Sequence, residues 1–299
     1  MKIAVLLYGH LRDFETCADS LKQNLLSRYD CDVFMHTWDE RDHNSKCWHE
    51  QRFDAAHVGE ETIDIIISKY NPKGIIVEHQ EKYAQEKIIQ SPYNKDLKMS
   101  SAIPYYMFYT MNQANQLRLD YENKNGITYD FVIVTRPDVQ LKTPFEIEKF
   151  LNQIDVLGFD KDSCRFFCPY EPQWLNEWAQ TLINTPNDIF FFATPTVVNK
   201  YIEANANLTE EQIEKYMVNA VSVYTANEIR HGVMPIPIRY MMDSDWDSSV
   251  LRSLRDDSKK REIKPWKKAI FGFIAILLYP IFRLQKKYQI INYYEYKKQ

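Results

Sequence analysis

The stretch Tyr129–Lys142 has the sequence YDFVIVTRPDVQLK, and the prediction of the fold starts from it. Its apolar run Phe131–Val134 is rich in β-branched residues, which is typical of a strand buried on both faces of a sheet. The run stops at Arg136-Pro137-Asp138, where Pro137 cannot donate to a sheet ladder and favours extended backbone in the residue before it. A charged pair is therefore expected at the carboxyl end of a buried strand.

The start of the chain predicts the same kind of sheet. Lys2–Leu7 predicts a strand, a turn follows at Gly9–Arg12, and apolar residues at helical spacing predict a helix over Phe14–Arg28. Asp32–Thr37 then predicts a second strand, so the order is that of a βαβ unit with parallel strands.

Helices and strands continue to alternate along the chain, and residues 160–187 are expected to be irregular. The remaining predicted elements are the helices Glu60–Tyr70, Ser101–Asn123, Pro144–Asn152, Pro195–Ala204 and Glu210–Ile229 and the strands Gly74–Glu78, Asp155–Phe159, Asp188–Ala193 and Val233–Met241. This pattern predicts an α/β fold of Rossmann type, with a mixed sheet flanked by helices.

Polar residues follow several of the predicted strands, and the carboxyl ends of parallel strands meet at the edge where α/β sheets bind ligands. A nucleotide diphosphate at that edge needs backbone N–H donors, a cationic side chain and a carboxylate that holds a divalent cation. Gly9 and the helix N-terminus after it can supply the N–H donors. Arg12 can supply the cationic side chain. Asp138 can supply the carboxylate and is therefore the predicted metal ligand. The predicted substrate-binding residues are Gly9, Leu11, Arg12, His36, Thr135, Arg136 and Asp138. A capped strand end with a surface Arg–Asp pair is the alternative interpretation.

The composition argues against several other classes of protein. With only 7 glycines and no G-x-G-x-x-G or G-x-x-x-x-G-K-[ST] motif, the chain lacks the usual support for a dinucleotide fold or a P-loop. Residues 1–250 carry a net charge of −13 and residues 251–299 one of +9, so the basic surface is not on the main body, where nucleic-acid binders normally have it. The 5 cysteines lack the spacing of a zinc site and, with no secretory signal sequence before them, favour a reduced, cytosolic protein.

Several short motifs mark the first 240 residues. They are G-x-L-R at Gly9–Arg12, D-V-F-x-H-T-W at Asp32–Trp38, T-R-P-D at Thr135–Asp138 and N-D-x-F-x-F-A-T-P at Asn187–Pro195. Together they resemble the motifs of a group of bacterial glycosyltransferases from surface-polysaccharide gene clusters. The resemblance implies a GT-A-like fold that binds a nucleotide sugar. In that fold a D-x-D motif normally contacts the ribose and the metal, whereas this chain has Arg136-Pro137-Asp138, so the metal requirement stays open.

Sugar transfer with inversion needs a carboxylate that takes the proton of the acceptor hydroxyl. Asp188, before a predicted strand, and Glu228, at the end of a predicted helix, are the candidates for this catalytic role. An ordinary turn residue and a solvated helix face are the alternative interpretations. A literal D-x-D is present at Asp243-Ser244-Asp245, but it follows the second half of the predicted fold; it is either a solvated loop or a second contributor to the cation site.

The tail after residue 250 predicts association with a membrane. Ala269–Phe282 is an apolar run of 14 residues, shorter than the ~20 that a spanning helix needs. Basic residues flank the run on both sides, which favours a segment lying in an anionic leaflet over the alternative of a buried C-terminal helix. The predicted domains are therefore a transferase domain at 1–250 and a membrane-associating tail at 251–299, placed peripherally on the cytoplasmic face of the inner membrane.

Residues and resemblance together predict a glycosyltransferase that moves a sugar from a nucleotide-sugar donor to a lipid-linked glycan acceptor in surface-polysaccharide biosynthesis. A divalent cation, Mn²⁺ or Mg²⁺, is the expected cofactor, an anionic membrane surface is an expected partner, and no nucleic acid is expected. Two alternatives stay open. One is a non-catalytic, membrane-associated assembly protein with the same fold, and the other is a different nucleotide-dependent transferase, such as one that moves a phosphosugar.

Overall fold

The computed structural model describes residues 1–42, 56–80, 99–148, 151, 165–169, 190–206, 234–238 and 248–250. All of them belong to one compact unit, formed by Met1–Tyr170 and Pro186–Arg255. The tail predicted at 251–299, the helix predicted at Glu210–Ile229 and the strand predicted at Asp155–Phe159 lie outside the described residues. Within the described part of the chain, no helix has the length and apolar character needed to cross a membrane.

The described residues form strands and helices that alternate along the first half of the chain. The strands are β1 (Lys2–Tyr8), β2 (Asp30–Trp38), β3 (Gly74–Glu78), β4 (Phe131–Thr135), β5 (Val139–Leu141), β6 (Arg165–Pro169), β7 (Phe190–Ala193), β8 (Met234–Ile238) and β9 (Ser248–Val250). The helices are α1 (Phe14–Leu21), α2 (Glu60–Tyr70), α3 (Met99–Asn125) and α4 (Pro195–Ala206), and a π-helical segment, Lys22–Leu26, continues α1.

One mixed sheet contains most of these strands, in the order β3-β2-β1-β4-β7-β6-β8. β1 pairs in parallel with β2 and with β4, and β2 pairs in parallel with β3. β7 is antiparallel to β4 and to β6, while β6 is parallel to β8. β5 and β9 form a separate antiparallel pair. The predicted Rossmann-type mixed sheet flanked by helices is confirmed.

The apolar runs of β1 and β4 are continuous because helices cover both faces of the sheet. Successive side chains of a strand point to opposite faces. Val5 and Ile133 therefore pack in a core with residues of α1 and α2, while Leu6 and Val134 pack in a second core with residues of α3 and α4. All four are fully buried. The prediction of a strand buried on both faces at Phe131–Val134 is confirmed.

Several local predictions were wrong. The helix expected over Phe14–Arg28 is α-helical only to Leu21 and then π-helical to Leu26, which turns Asn24 toward β5. Residues 160–187, expected to be irregular, contain β6, whose hydrogen bonds come from pairing with β7 and β8 rather than from any local pattern. β5 and β9 have three residues each, which is too short for an alternating pattern to be recognised.

Candidate functional site

The carboxyl ends of β1, β2 and β4 lie side by side at one edge of the sheet. Tyr8 of β1 is opposite His36 of β2, and Leu7 of β1 is opposite Thr135 of β4. The chain goes from β1 to β2 on one side, and β4 later returns to the other side of β1. Open α/β sheets generally bind their ligands at such a switch point, in a crevice outside the strand ends. The predicted shared edge is confirmed.

A buried ion network of two arginines and two aspartates lies at this switch point. Arg12 donates from Nη1 to Asp138 Oδ2 at 2.5 Å and from Nε to Asp42 Oδ1 at 3.0 Å. Arg136 binds the same Asp138 carboxylate twice, from Nε to Oδ1 at 2.9 Å and from Nη2 to Oδ2 at 2.5 Å. The Asp138 side chain is 0% exposed, that of Arg12 is 9% exposed and that of Arg136 is 17% exposed. Asp138 thus joins the turn after β1 to the turn after β4.

The turn after β1 presents Arg12 in an uncommon backbone conformation. Gly9 has φ +89° and Arg12 has φ +46°, and a left-handed conformation costs a residue other than glycine roughly 1–2 kcal/mol. Hydrogen bonds hold the turn in place: Arg12 N donates to Arg41 O at 2.8 Å, and Arg41 Nη2 donates to Arg12 O at 3.2 Å. Local strain that the surrounding structure maintains in this way is typical of functional turns.

The network also determines the protonation of its neighbours. Burial alone would lower the pKa of Arg12, but the charges of Asp138 and Asp42 and their hydrogen bonds raise it above its usual value. Burial raises the pKa of the Cys17 thiol on α1, and the negative charges of Asp138 and Asp13 raise it further. Cys17 is therefore a neutral core thiol and not a nucleophile, because reactive cysteines need a lowered pKa.

The helix after the turn also holds the segment that follows β4. Ser20 Oγ accepts a hydrogen bond from Leu141 N at 3.1 Å, and Asn24 Nδ2 donates to Leu141 O at 2.6 Å. The backbone oxygen of Asn24 accepts a further bond from Phe145 N at 2.9 Å. Asn24 belongs to the π-helical segment, and π-helical turns are frequent at functional sites. These bonds support the Arg136–Asp138 turn from its carboxyl side.

Asp138, the predicted metal ligand, has surroundings that do not fit a divalent cation. Mg²⁺ requires oxygen lone pairs in near-octahedral geometry and usually keeps several waters. Both oxygens of Asp138 instead accept N–H groups from guanidinium groups, and its side chain is fully buried. Across the described ranges, no group of three or more His, Cys, Asp and Glu side chains is arranged to hold a metal ion.

His36, at the end of β2, packs against aromatic residues and is fully buried. Its ring meets Trp38 and Tyr109 edge-on, with ring centroids 5.2 and 5.7 Å apart. His36 Nε2 and Glu78 Oε2 are hydrogen-bonded at 2.9 Å, and Nδ1 has no hydrogen-bond partner among the side chains and backbone groups whose positions are described. Burial lowers the pKa of His36, and the Glu78 carboxylate opposes this only in part. The lowered pKa favours the neutral imidazole in the folded protein.

We expect the protein to lose stability as the pH falls below about 6.5, the usual pKa of histidine in an unfolded chain. The folded pKa of His36 is lower, so between the two values the unfolded chain binds one proton more than the folded protein. The free energy of unfolding then falls by up to about 1.4 kcal/mol per pH unit. The variant His36→Gln keeps a hydrogen-bond donor toward Glu78. Its free energy of unfolding should lack the part of the pH dependence that comes from His36.

Urea unfolding of both proteins between about pH 5 and 8 measures the difference. Other titrating groups are the same in the two proteins and cancel. If the free energy of unfolding changed equally with pH in the wild type and His36→Gln, His36 would have the same pKa in the folded and unfolded protein, and the expectation would be wrong.

The remaining predicted site residues fall into two groups. Leu11 and Thr135 are fully buried, and Leu11 packs in the apolar core beneath the turn, so a substrate contact for either stays a prediction. Asp188 and Glu228, the predicted catalytic carboxylates, lie outside the described residues. The same holds for the alternative motif Asp243-Ser244-Asp245.

Sequence reasoning missed the residues that complete and support the network. Asp42 lies in a polar segment after β2, where nothing in the local pattern distinguishes it from a solvated residue. Asn24 could have been found from the sequence, because it falls three residues after Leu21 on the apolar stripe of the first helix. In the structure it is only 8% exposed. A contact between Asp39 Oδ2 and His79 Nδ1, at 2.8 Å, joins the ends of β2 and β3 and was also missed.

Comparisons with known proteins add a structural similarity without an assignment to a family. No family model and no curated protein sequence matches the chain. Among solved structures, the chain is similar to a crystal structure of the galactosyltransferase LgtC in complex with donor and acceptor sugar analogues. The similarity has a TM-score of 0.38 at 10% sequence identity and covers 79% of this chain and 73% of the other. A TM-score of that size is too low to identify a fold, so it supports no conclusion about activity.

Proposed function

We propose that this chain is a GT-A-type glycosyltransferase that moves a sugar from a nucleotide-sugar donor to a lipid-linked glycan during surface-polysaccharide assembly. The observation that carries the proposal is the position of the Arg12–Asp138–Arg136 network at the switch point of the sheet. Crevices at switch points bind nucleotides, and oriented guanidinium groups bind phosphates. The motifs at Gly9–Arg12 and Thr135–Asp138, which resemble those of bacterial polysaccharide glycosyltransferases, supply both sides of this crevice.

Open space beside the backbone of Gly9 supports the placement of the donor diphosphate at the turn after β1. A Cβ atom added at Gly9 would meet no atom within 4 Å, and the φ of +89° disfavours any other residue there. A ligand can therefore approach the backbone closely at this position. In this proposal Asp188 or Glu228 takes the proton of the acceptor hydroxyl, and the tail at 251–299 holds the protein on the cytoplasmic face of the membrane, next to a lipid-linked acceptor.

A non-catalytic assembly protein with the same fold is the second candidate function. The observation that favours it is the pairing of Asp138 with two guanidinium groups. A protein without transfer activity would still need this network, because the network joins the turns after β1 and β4. Such a protein would not need an accessible metal ligand.

Thermal unfolding of the full chain with UDP-, GDP-, ADP- and CDP-linked sugars tests the proposal. A nucleotide sugar at about 100 times its Kd stabilises the folded protein by about 2.7 kcal/mol, so one class of nucleotide should raise Tm. The shift should shrink in Gly9→Ala, whose new methyl group occupies the turn. It should persist in Gly59→Ala, because Gly59 also has open space but an ordinary φ of −85°.

Release of the nucleotide in the presence of membrane extract distinguishes the two candidates. Release that depends on the extract supports the transferase. Binding without release supports the assembly protein, and a Tm that no nucleotide sugar changes would contradict the proposed transferase.

A further inference from the structure

We infer that this chain binds the diphosphate of its donor without a divalent cation, with Arg136 supplying the positive charge at the phosphates. The inference rests on the proposed function, because it takes a nucleotide sugar as the ligand of the crevice. It assigns Asp138 a task other than metal binding. Asp138 is the counter-ion that holds two guanidinium groups in fixed positions at the switch point.

Most of the lone pairs of Asp138 are already used by hydrogen bonds. An ionised carboxylate offers about four lone-pair sites, and Asp138 accepts N–H groups at 2.5, 2.5 and 2.9 Å from Arg12 and Arg136. Bonds of this kind between two ions are among the strong hydrogen bonds of proteins. A divalent cation at Asp138 would have at most the one remaining site on Oδ1 and would lie close to two positive groups that repel it.

The formal charge of the network gives a second reason. Arg12 and Arg136 contribute two positive charges, and Asp138 and Asp42 contribute two negative ones. The formal charges of these four side chains cancel, so this group of described residues offers a cation no excess negative charge. In addition, the Asp138 side chain is 0% exposed, which leaves no space beside it for the waters that Mg²⁺ usually keeps.

Arg136 is the arginine of the network that reaches the crevice. Its side chain is 17% exposed, compared with 9% for Arg12. Nε and Nη2 of Arg136 bind Asp138, so Nη1 lies on the other edge of the planar guanidinium group. A guanidinium group that is already oriented loses little freedom when it binds, and its N–H groups match the geometry of phosphate oxygens.

Arg12 has a different task, because its guanidinium group joins Asp42 to Asp138 and is almost fully buried. It positions the Asp138 carboxylate, which in turn positions Arg136. The structure thus separates an anchoring arginine on the turn after β1 from a phosphate-binding arginine on the turn after β4.

Isothermal titration calorimetry of the full chain with the uridine, guanosine, adenosine and cytidine diphosphates tests the inference. Each nucleotide is titrated once in buffer with EDTA and once in buffer with Mn²⁺. The nucleotide that binds should have a Kd that agrees within about twofold between the two buffers. This comparison uses the wild-type protein, so it does not depend on the folding of any variant.

Variants then test the role of Arg136. Arg136→Gln should weaken binding by about tenfold or more in EDTA, and Arg136→Lys, which keeps the charge without the planar fork, should recover part of the affinity. Arg28→Gln is the matched control, because Arg28 donates from Nη2 to Glu146 Oε1 at 3.0 Å in an exposed pair away from the crevice. Its Kd should equal that of the wild type.

The outcomes separate this inference from the proposed function. Binding that requires Mn²⁺ would overturn the inference and leave the proposed transferase standing, and so would a folded Arg136→Gln protein that binds as tightly as the wild type. Failure of all four nucleotides to bind in either buffer would overturn the proposed function itself, and the inference with it.

Discussion

Asp138→Asn is expected to destabilise the protein by roughly 3–5 kcal/mol, the loss typical of removing one partner of a buried ion pair. The substitution keeps the shape of the side chain, so no cavity contributes. It removes the negative charge between Arg12 and Arg136, whose nitrogens lie 2.5 to 2.9 Å from the carboxylate oxygens. The turn after β1 and the turn after β4 then lose the bond that joins them. Urea unfolding followed by circular dichroism measures this loss.

Asp19→Asn is the matched control for this variant. Asp19 binds Lys69 Nζ at 2.7 and 2.8 Å, but the Asp19 side chain is 70% exposed. Exposed pairs of this kind contribute about 0–1 kcal/mol, so the same change of residue should have little effect there. A metal ligand at an open strand end would tolerate the substitution as Asp19 does. If Asp138→Asn cost no more than Asp19→Asn, the counter-ion role of Asp138 would be wrong.

Arg118→Met is expected to lower the free energy of unfolding by roughly 3 kcal/mol. Arg118 lies in α3 with 0% of its side chain exposed and donates from Nη1 to Glu122 Oε2 at 2.6 Å. Nε and Nη2 donate to Asn115 Oδ1 at 3.0 and 2.9 Å, and Nη2 also binds Asn199 Oδ1 of α4. Methionine keeps much of the aliphatic stem but donates no hydrogen bond. Asn115 Oδ1 and Glu122 Oε2 then lose these donors, and Asn199 Oδ1 keeps only the bond from Asn115 Nδ2.

Lys124→Met makes the same kind of change at an exposed position in the last turn of the same helix. Substitutions at such positions are usually within about 0.5 kcal/mol of the wild type. Chemical unfolding of the two variants under one set of conditions gives the comparison. Equal stabilities would mean that Arg118 does not join α3 to α4.

The sequence by itself determined most strands of the sheet, β6 excepted, and the edge at which the candidate site lies. α2 and β3 have the bounds that were predicted for them, Glu60–Tyr70 and Gly74–Glu78. The strand Phe131–Thr135 was recognisable because a strand covered on both faces needs apolar residues throughout. Polar residues at the ends of β1, β2 and β4 were predicted to meet because parallel strands present their carboxyl ends on the same side of a sheet.

Only the tertiary structure decided what the charged residues at that edge do. Arg12 and Asp138 are 126 positions apart in the chain, and no local pattern encodes their pairing. Arg118 likewise lies on the buried stripe of α3, four residues after Ala114. Its charge alone predicts exposure, and it is buried because Asn199 of α4 packs beside it and accepts a hydrogen bond. The physical reason is that an apolar side chain prefers the interior wherever it is placed, whereas the energy of a charge depends on the groups around it after folding. The sequence could therefore locate the candidate site. The tertiary structure shows that Asp138, which has the position expected of a metal ligand, is the counter-ion of Arg12 and Arg136.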